Sequence, residues 1–202
     1  MRSGSPSASV WTLGHSCHDW PKFQSLLEIA DITALADVRS RPSSRLPHFN
    51  RAALKERLNA SVIAYIFLGL ELGGLPNDGA PADYERMATK PLFLEGLSRV
   101  EEIAPRARLA LMCSEHEPLT CHRCLLVGRR LVERGVGVNH ILRDGRVETH
   151  ADTEERLLKV TRQTEYDLLA SRAERLARAY RDQNQRLSRR IATQHRRPKP
   201  SQ

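Results

Sequence analysis

The 202-residue chain has no apolar run near the ~18 residues of a membrane-spanning helix, so no span is expected. Its opening segment, MRSGSPSASVW, holds one arginine and no apolar stretch, so no secretory signal is read there and a cytoplasmic location is expected. Four cysteines are too few for a disulfide scaffold, and in a reducing compartment they are expected as thiols. Aromatic residues are scarce at 5%, yet 40% hydrophobic and 28% charged residues are globular usage. Neither a GxGxxG nor a GxxxxGK[ST] fingerprint occurs, which disfavours NAD and ATP, and no cofactor is expected. The stretch from Gln183 to Gln202 lacks acids altogether and carries six basic residues, so the first 182 residues hold only +2 of the net +8. Any case for nucleic-acid binding from net charge is therefore a case about this tail.

The body reads as alternating strands and helices. Val10–Leu13 is a strand ending at Gly14-His15-Ser16. Phe23, Leu26, Leu27 and Ala30 share one face of a helix that starts near Asp19 and Pro21. Thr33–Val38 is a second strand, and Asn50 is expected to cap a helix to Leu58. Val62–Leu68, rich in β-branched and aromatic residues, is a third strand. Gly69–Pro81, with four glycines and two prolines, reads as a long loop suited to a lid or binding role. Pro91 opens a helix with Phe93, Leu97, Val100 and Ala104 on one face. Arg108–Met112 is a buried strand ending at Cys113, and Thr120 is expected to cap a helix running to Gly135. Val136–Leu142 is the fifth strand. This pattern predicts a three-layer α/β fold with a mainly parallel five-stranded sheet and helices on both faces, over residues 10–150. A helical extension capped by Thr153 follows over 151–191, then a disordered basic tail over 192–202. Leu169, Ala173, Leu176, Tyr180 and Leu187 recur at a spacing that suits either a coiled coil or, preferred here, a helix packed on its own domain.

In open α/β sheets ligands bind beyond the carboxyl ends of the strands, and that is where this sequence concentrates its chemistry. His15 and Ser16 follow the first strand. Asp37, Arg39, Arg41 and Arg45 follow the second. Cys113, Glu115, Cys121, His122 and Arg123 follow the fourth. With Thr120 as cap, Cys121 opens a helix whose dipole, together with His122 and Arg123, favours a thiolate, and an accessible thiol is expected. Arginine forks in a loop suit a phosphate or carboxylate. Cys113, Cys121 and Cys124 with His116 or His122 contain enough ligands for zinc. Their spacing is not a common zinc pattern, however, and adjacent helical residues 121 and 122 diverge, so no metal is expected.

These motifs, Thr12-Leu13-Gly14-His15-Ser16, Asp37-Val38-Arg39-Ser40, Ser44-Arg45, Phe49-Asn50, Leu72-Gly73-Gly74, and Leu111 to Glu115 with Cys121-His122-Arg123, together resemble the domain of unknown function 488 family over about residues 11–150. The resemblance implies an α/β domain with a polar site at His15, Ser16, Asp37, Arg39, Arg45, Cys113, Glu115, Cys121, His122 and Arg123. It implies no reaction, and Cys124 and the tail lie outside its pattern. The expected function is an enzyme acting on an anionic substrate, a nucleotide or nucleic-acid-related one. Cys121, Cys113, His15 and Glu115 are its catalytic candidates, and Ser16, Asp37, Arg39, Arg45, His122 and Arg123 its substrate contacts. Two other classes compete with it, a non-catalytic nucleotide- or nucleic-acid-binding module and a thiol redox sensor built on Cys113 and Cys121.

Overall fold

A computed structural model describes residues 8–76, 82–163 and 170–195, with the backbone alone described over 190–195. Its strands are β1 (Ser9–Gly14), β2 (Ala34–Asp37), β3 (Ala64–Phe67), β4 (Leu109–Cys113), β5 (Gly137–Ile141) and β6 (Val147–Thr149). They form one sheet in the order β3-β2-β4-β1-β5-β6. The first five are parallel, while β6 runs antiparallel to β5, from Asn139 opposite Thr149 to Ile141 opposite Val147. The sheet thus has six strands and not five. The sixth is a three-residue edge strand, too short and too exposed to show an apolar pattern.

Alternation along each central strand sends side chains into two cores. Leu13, Leu35, Ala110 and Met112 meet Phe23, Leu26 and Leu27 of α1 (Trp20–Glu28) and Leu54 and Leu58 of α2 (Arg51–Ala60). On the other face Val10, Ala36, Leu109, Leu111 and Val138 meet Phe93, Leu97 and Val100 of helix Pro91–Ile103, and the helices of the C-terminal half. The three layers follow from this division. Asp19 caps α1 by accepting from the Lys22 amide at 2.9 Å. Asn50 stands at the cap position of α2 but makes no capping bond, because its Oδ1 accepts instead from the Ser44 amide at 2.7 Å.

The segment expected as a loop from Gly69 begins as a helical turn, α3 (Gly69–Leu72), and residues 77–81 lie outside the described residues. A short helix unforeseen from the sequence, α4 (Tyr84–Ala88), precedes α5 (Pro91–Ile103). After β4 comes a 3₁₀ turn, Pro118–Thr120, and then a π-helical segment, Arg123–Gly128, which continues directly into α6 (Arg129–Glu133). α7 (His150–Val160) is capped by Thr149 and not by Thr153, whose buried hydroxyl donates to the Thr149 carbonyl at 3.1 Å. α8 (Arg172–His195) carries the helix past residue 191. Of the spaced set, Leu176, Tyr180 and Leu187 are buried in the domain's own core together with Ala179, so this face is occupied within the chain; Ala173 is exposed, and Leu169 lies outside the described residues. Residues 196–202 of the basic tail also lie outside them. Among the described residues no helix is long and apolar enough to cross a membrane.

Candidate active site

β4 lies between β1 and β2, so the residues that follow it emerge at the centre of the sheet's carboxyl edge. Register sets Gly14 beside Cys113 and Asp37 beside Met112. The amides of His15 and Ser16 continue the pairing, donating to the carbonyls of Cys113 and Ser114, each at 2.8 Å. Gly14 is required for this closeness, since a Cβ there would stand 1.8 Å from the Glu115 carbonyl oxygen.

The chain then turns through Pro118–Thr120, where the Thr120 hydroxyl donates back to the Glu117 carbonyl at 3.0 Å. Thr120 is therefore part of the turn and not the helix cap. That position belongs to Cys121, which has an extended backbone (φ −135°, ψ 140°) and a carbonyl accepting from the amides of Cys124 and Leu125, both at 3.1 Å. The one-residue difference changes what neighbours can do. With Cys121 extended and His122 helical, the two side chains converge, and the divergence expected of two helical residues does not apply.

His122 Nε2–H donates to the Val38 carbonyl at 2.9 Å, which leaves the Nδ1 lone pair free. That nitrogen faces Cys113 Sγ at 3.5 Å and Cys121 Sγ at 3.8 Å. All three atoms lie within 4.8 Å of one another. Burial opposes ionisation of Cys121. The hydrogen bond from the Cys113 thiol and the charge of Arg123 outweigh it and hold Cys121 well below the ordinary thiol range. The same hydrogen bond, with burial, holds Cys113 well above that range.

The sulfurs and the imidazole line a cavity of about 280 Å³, together with Arg39, Ser40, Arg41, Gly74, Tyr84, Ser114, Glu115 and Leu187. Cys121 is only 2% exposed and Cys113 6%, so both are far less accessible than expected for Cys121 and face this cavity alone. Gly74 permits the cover over the imidazole, because a Cβ there would stand 2.4 Å from His122 Cγ. The Leu75 amide ties the same loop to Ser40 Oγ at 3.0 Å.

The other predicted site residues divide between rim and support. Glu115 and Arg39 line the cavity. Arg39, however, is held by Asp37 through Nε–Oδ1 at 2.8 Å and Nη2–Oδ2 at 2.7 Å. Its charge is thus cancelled by a fully buried carboxylate, which also accepts from the Tyr65 hydroxyl at 2.9 Å. Of the two arginines that line the cavity among the described residues, Arg41, exposed on the rim, is the one not paired with Asp37. Arg45 is exposed on the same loop and does not line the cavity. His15 and Ser16 also lie off its wall. The His15 ring stacks on Phe49 with centroids 4.3 Å apart, and its Nε2 accepts from Arg39 Nη1 at 3.3 Å. Burial and the Arg39 charge push His15 down to about 4, which leaves its basic nitrogen occupied and the ring neutral.

Arg123, fully buried, spans the site from beneath. Its Nε donates to Thr12 Oγ1 at 3.3 Å, Nη2 to the His116 carbonyl at 2.8 Å, and Nη1 to the Glu115 carbonyl. It shapes the loop after β4 and, fully buried, does not line the cavity, so it is not placed to contact a substrate there. Cys124 is turned away, into a second buried group with His140 and His150. Tyr84 and Leu187, neither of them a predicted site residue, reach the cavity from α4 and α8. Nothing in their local sequence marks them, since their places depend on how distant helices pack.

The family model described as Domain of unknown function DUF488 matches residues 19–129 of this chain. No curated protein and no solved structure matches it.

Proposed function

Because the chain belongs to the Domain of unknown function DUF488 family, which carries no assigned reaction, we propose from its own geometry that it is an enzyme acting on a small anionic substrate. The observation that carries this reading is one cavity with Cys113, Cys121 and His122 at its floor and Arg41 and Glu115 at its rim. In this reading Arg41 receives a phosphate or carboxylate group, and Arg39, fixed by Asp37, supports the loop from which Arg41 projects. Glu115 is the acid/base group at the mouth, and the sulfur–imidazole cluster is the chemical centre. The volume lies just below the ~300–1,000 Å³ of ligand sites, which suits a phosphorylated or carboxylated small molecule and not a nucleic-acid duplex. The four free cysteines fit a reducing, cytoplasmic setting.

The test measures binding and turnover of a panel of small phosphate and carboxylate esters by the full chain. Arg41→Ala is expected to weaken binding by about 1.5–3 kcal/mol, the range of a charge-assisted hydrogen bond, with little change in unfolding temperature. Cys121→Ser is expected to abolish turnover. Binding that Arg41→Ala leaves unchanged would overturn the anion site, and binding without turnover of any ester would make the chain a binding module.

A further inference from the structure

We propose that Cys113, Cys121 and His122 form a zinc site whose fourth position opens into the cavity. The inference rests on reading this cavity as the reaction site, and it assigns the two sulfurs their role there as metal ligands.

Three observations carry it. The first is distance. Tetrahedral zinc, with Zn–S near 2.3 Å and Zn–N near 2.0–2.1 Å, sets ligand sulfur and nitrogen about 3.6 Å apart. The separations here are 3.5 and 3.8 Å, with the sulfurs within 4.8 Å of each other. The second is the state of the imidazole. Its Nε2–H is anchored on the Val38 carbonyl, the outer-shell arrangement that fixes tautomer and ring plane in metal-binding histidines and presents Nδ1 as the donor. The third is the open side. The three donors face a cavity that can hold water or a substrate anion, and three protein ligands with one vacant position is the arrangement of catalytic zinc.

The second buried cysteine–histidine group provides the contrast. There His140 Nδ1 is bonded to Thr12 Oγ1 at 2.7 Å, His140 Nε2 to His150 Nδ1 at 3.0 Å, and His150 Nε2 to the Tyr180 hydroxyl at 2.9 Å. All four ring nitrogens are already partnered, so that group takes no ion.

The full chain, stripped of metal by a chelator and kept reduced, is titrated with Co²⁺ and then with Zn²⁺. One equivalent of Co²⁺ is expected to give the strong visible bands of a tetrahedral ion and a sulfur-to-cobalt charge-transfer band, both removed by one equivalent of Zn²⁺. Alkylation mapped by mass spectrometry on the unmodified sequence should show Zn²⁺ protecting Cys113 and Cys121 and leaving Cys17 unprotected. Cys113→Ser or Cys121→Ser should lower the affinity by more than the roughly 10–100-fold cost of outer-shell changes, and Cys124→Ser should not. The absence of a charge-transfer band, or alkylation of Cys113 and Cys121 unaffected by zinc, would overturn the site. Metal binding in a protein whose Arg41→Ala variant binds esters normally would sustain the zinc site and sink the anion reading.

Discussion

Val62 is 89% exposed and holds φ at +58°, a conformation that costs a β-branched residue more than almost any other. The reason lies in the end of α2. The Val62 amide donates to the Asn59 carbonyl at 3.0 Å and the Ile63 amide to the Leu58 carbonyl at 2.9 Å, the paired bonds of a Schellman stop that usually employs glycine. Val62→Gly is expected to stabilise the fold by about 1 kcal/mol, relieving the steric cost of a left-handed residue. Chemical denaturation checks it, and an unchanged or lower midpoint would show that valine is at ease there. The same residue explains a boundary misplaced from sequence. Val62 has strand chemistry and begins a run of apolar residues, but β3 starts at Ala64, because the helix needs two residues to close.

At the scale of elements, β5, α7 and α8 are joined by a buried hydrogen-bonded file. Thr12 donates to His140, His140 to His150, His150 to Tyr180, and the Tyr180 hydroxyl to Glu154 Oε1 at 3.1 Å. Arg129 lies over the Tyr180 ring at 4.5 Å. Burial first, and then the Arg129 charge, lowers His150 to about 4, while burial and then His150 lower His140 well below its ordinary value. Both rings are neutral in the fold. As pH falls from 6.5 towards 4 the unfolded chain takes up protons that the folded chain refuses, so stability is present above that window and lost within it. His150 alone accounts for about 3 kcal/mol of this loss. Equilibrium unfolding at a series of pH values should show the decline, and Tyr180→Phe, which strands the His150 N–H, should cost a further 1–3 kcal/mol or so at neutral pH. A pH-independent midpoint across the window would mean that these histidines take up protons in the fold as readily as in the unfolded chain. Much at this scale was legible in the sequence: the apolar spacing of α1 and α5, and the continuous apolar runs of β1, β2 and β4, follow from periodicity alone. The start of the helix after β4 was not, because Thr120 and Cys121 can both precede a helix and only the 3₁₀ turn decides between them. Arg123 misled in a similar way. Its sequence neighbours suggest a ligand, but its partner Thr12 lies 111 positions away.

For the molecule as a whole, α8 closes what the sheet begins. Gln183 Nε2 donates to the Leu119 carbonyl at 2.7 Å, the Ser188 hydroxyl to the Ala82 carbonyl at 2.9 Å, and Leu187 completes the cavity wall. A chain ended at Asp182 is expected to lose roughly 2 kcal/mol or more from Leu187 alone, whereas removing only 196–202 should leave the unfolding midpoint unchanged. Equal midpoints for the two truncations would show that the last turns of α8 contribute nothing to the fold. This placement also sets an order in time. A chain made from its N-terminus extrudes β1 to β4 first, and both cysteines of the cavity floor leave the ribosome more than sixty residues ahead of Leu187. The nascent domain therefore passes through an interval in which its two thiols and imidazole lack the wall that Leu187 supplies, and the cavity is more open than in the finished fold.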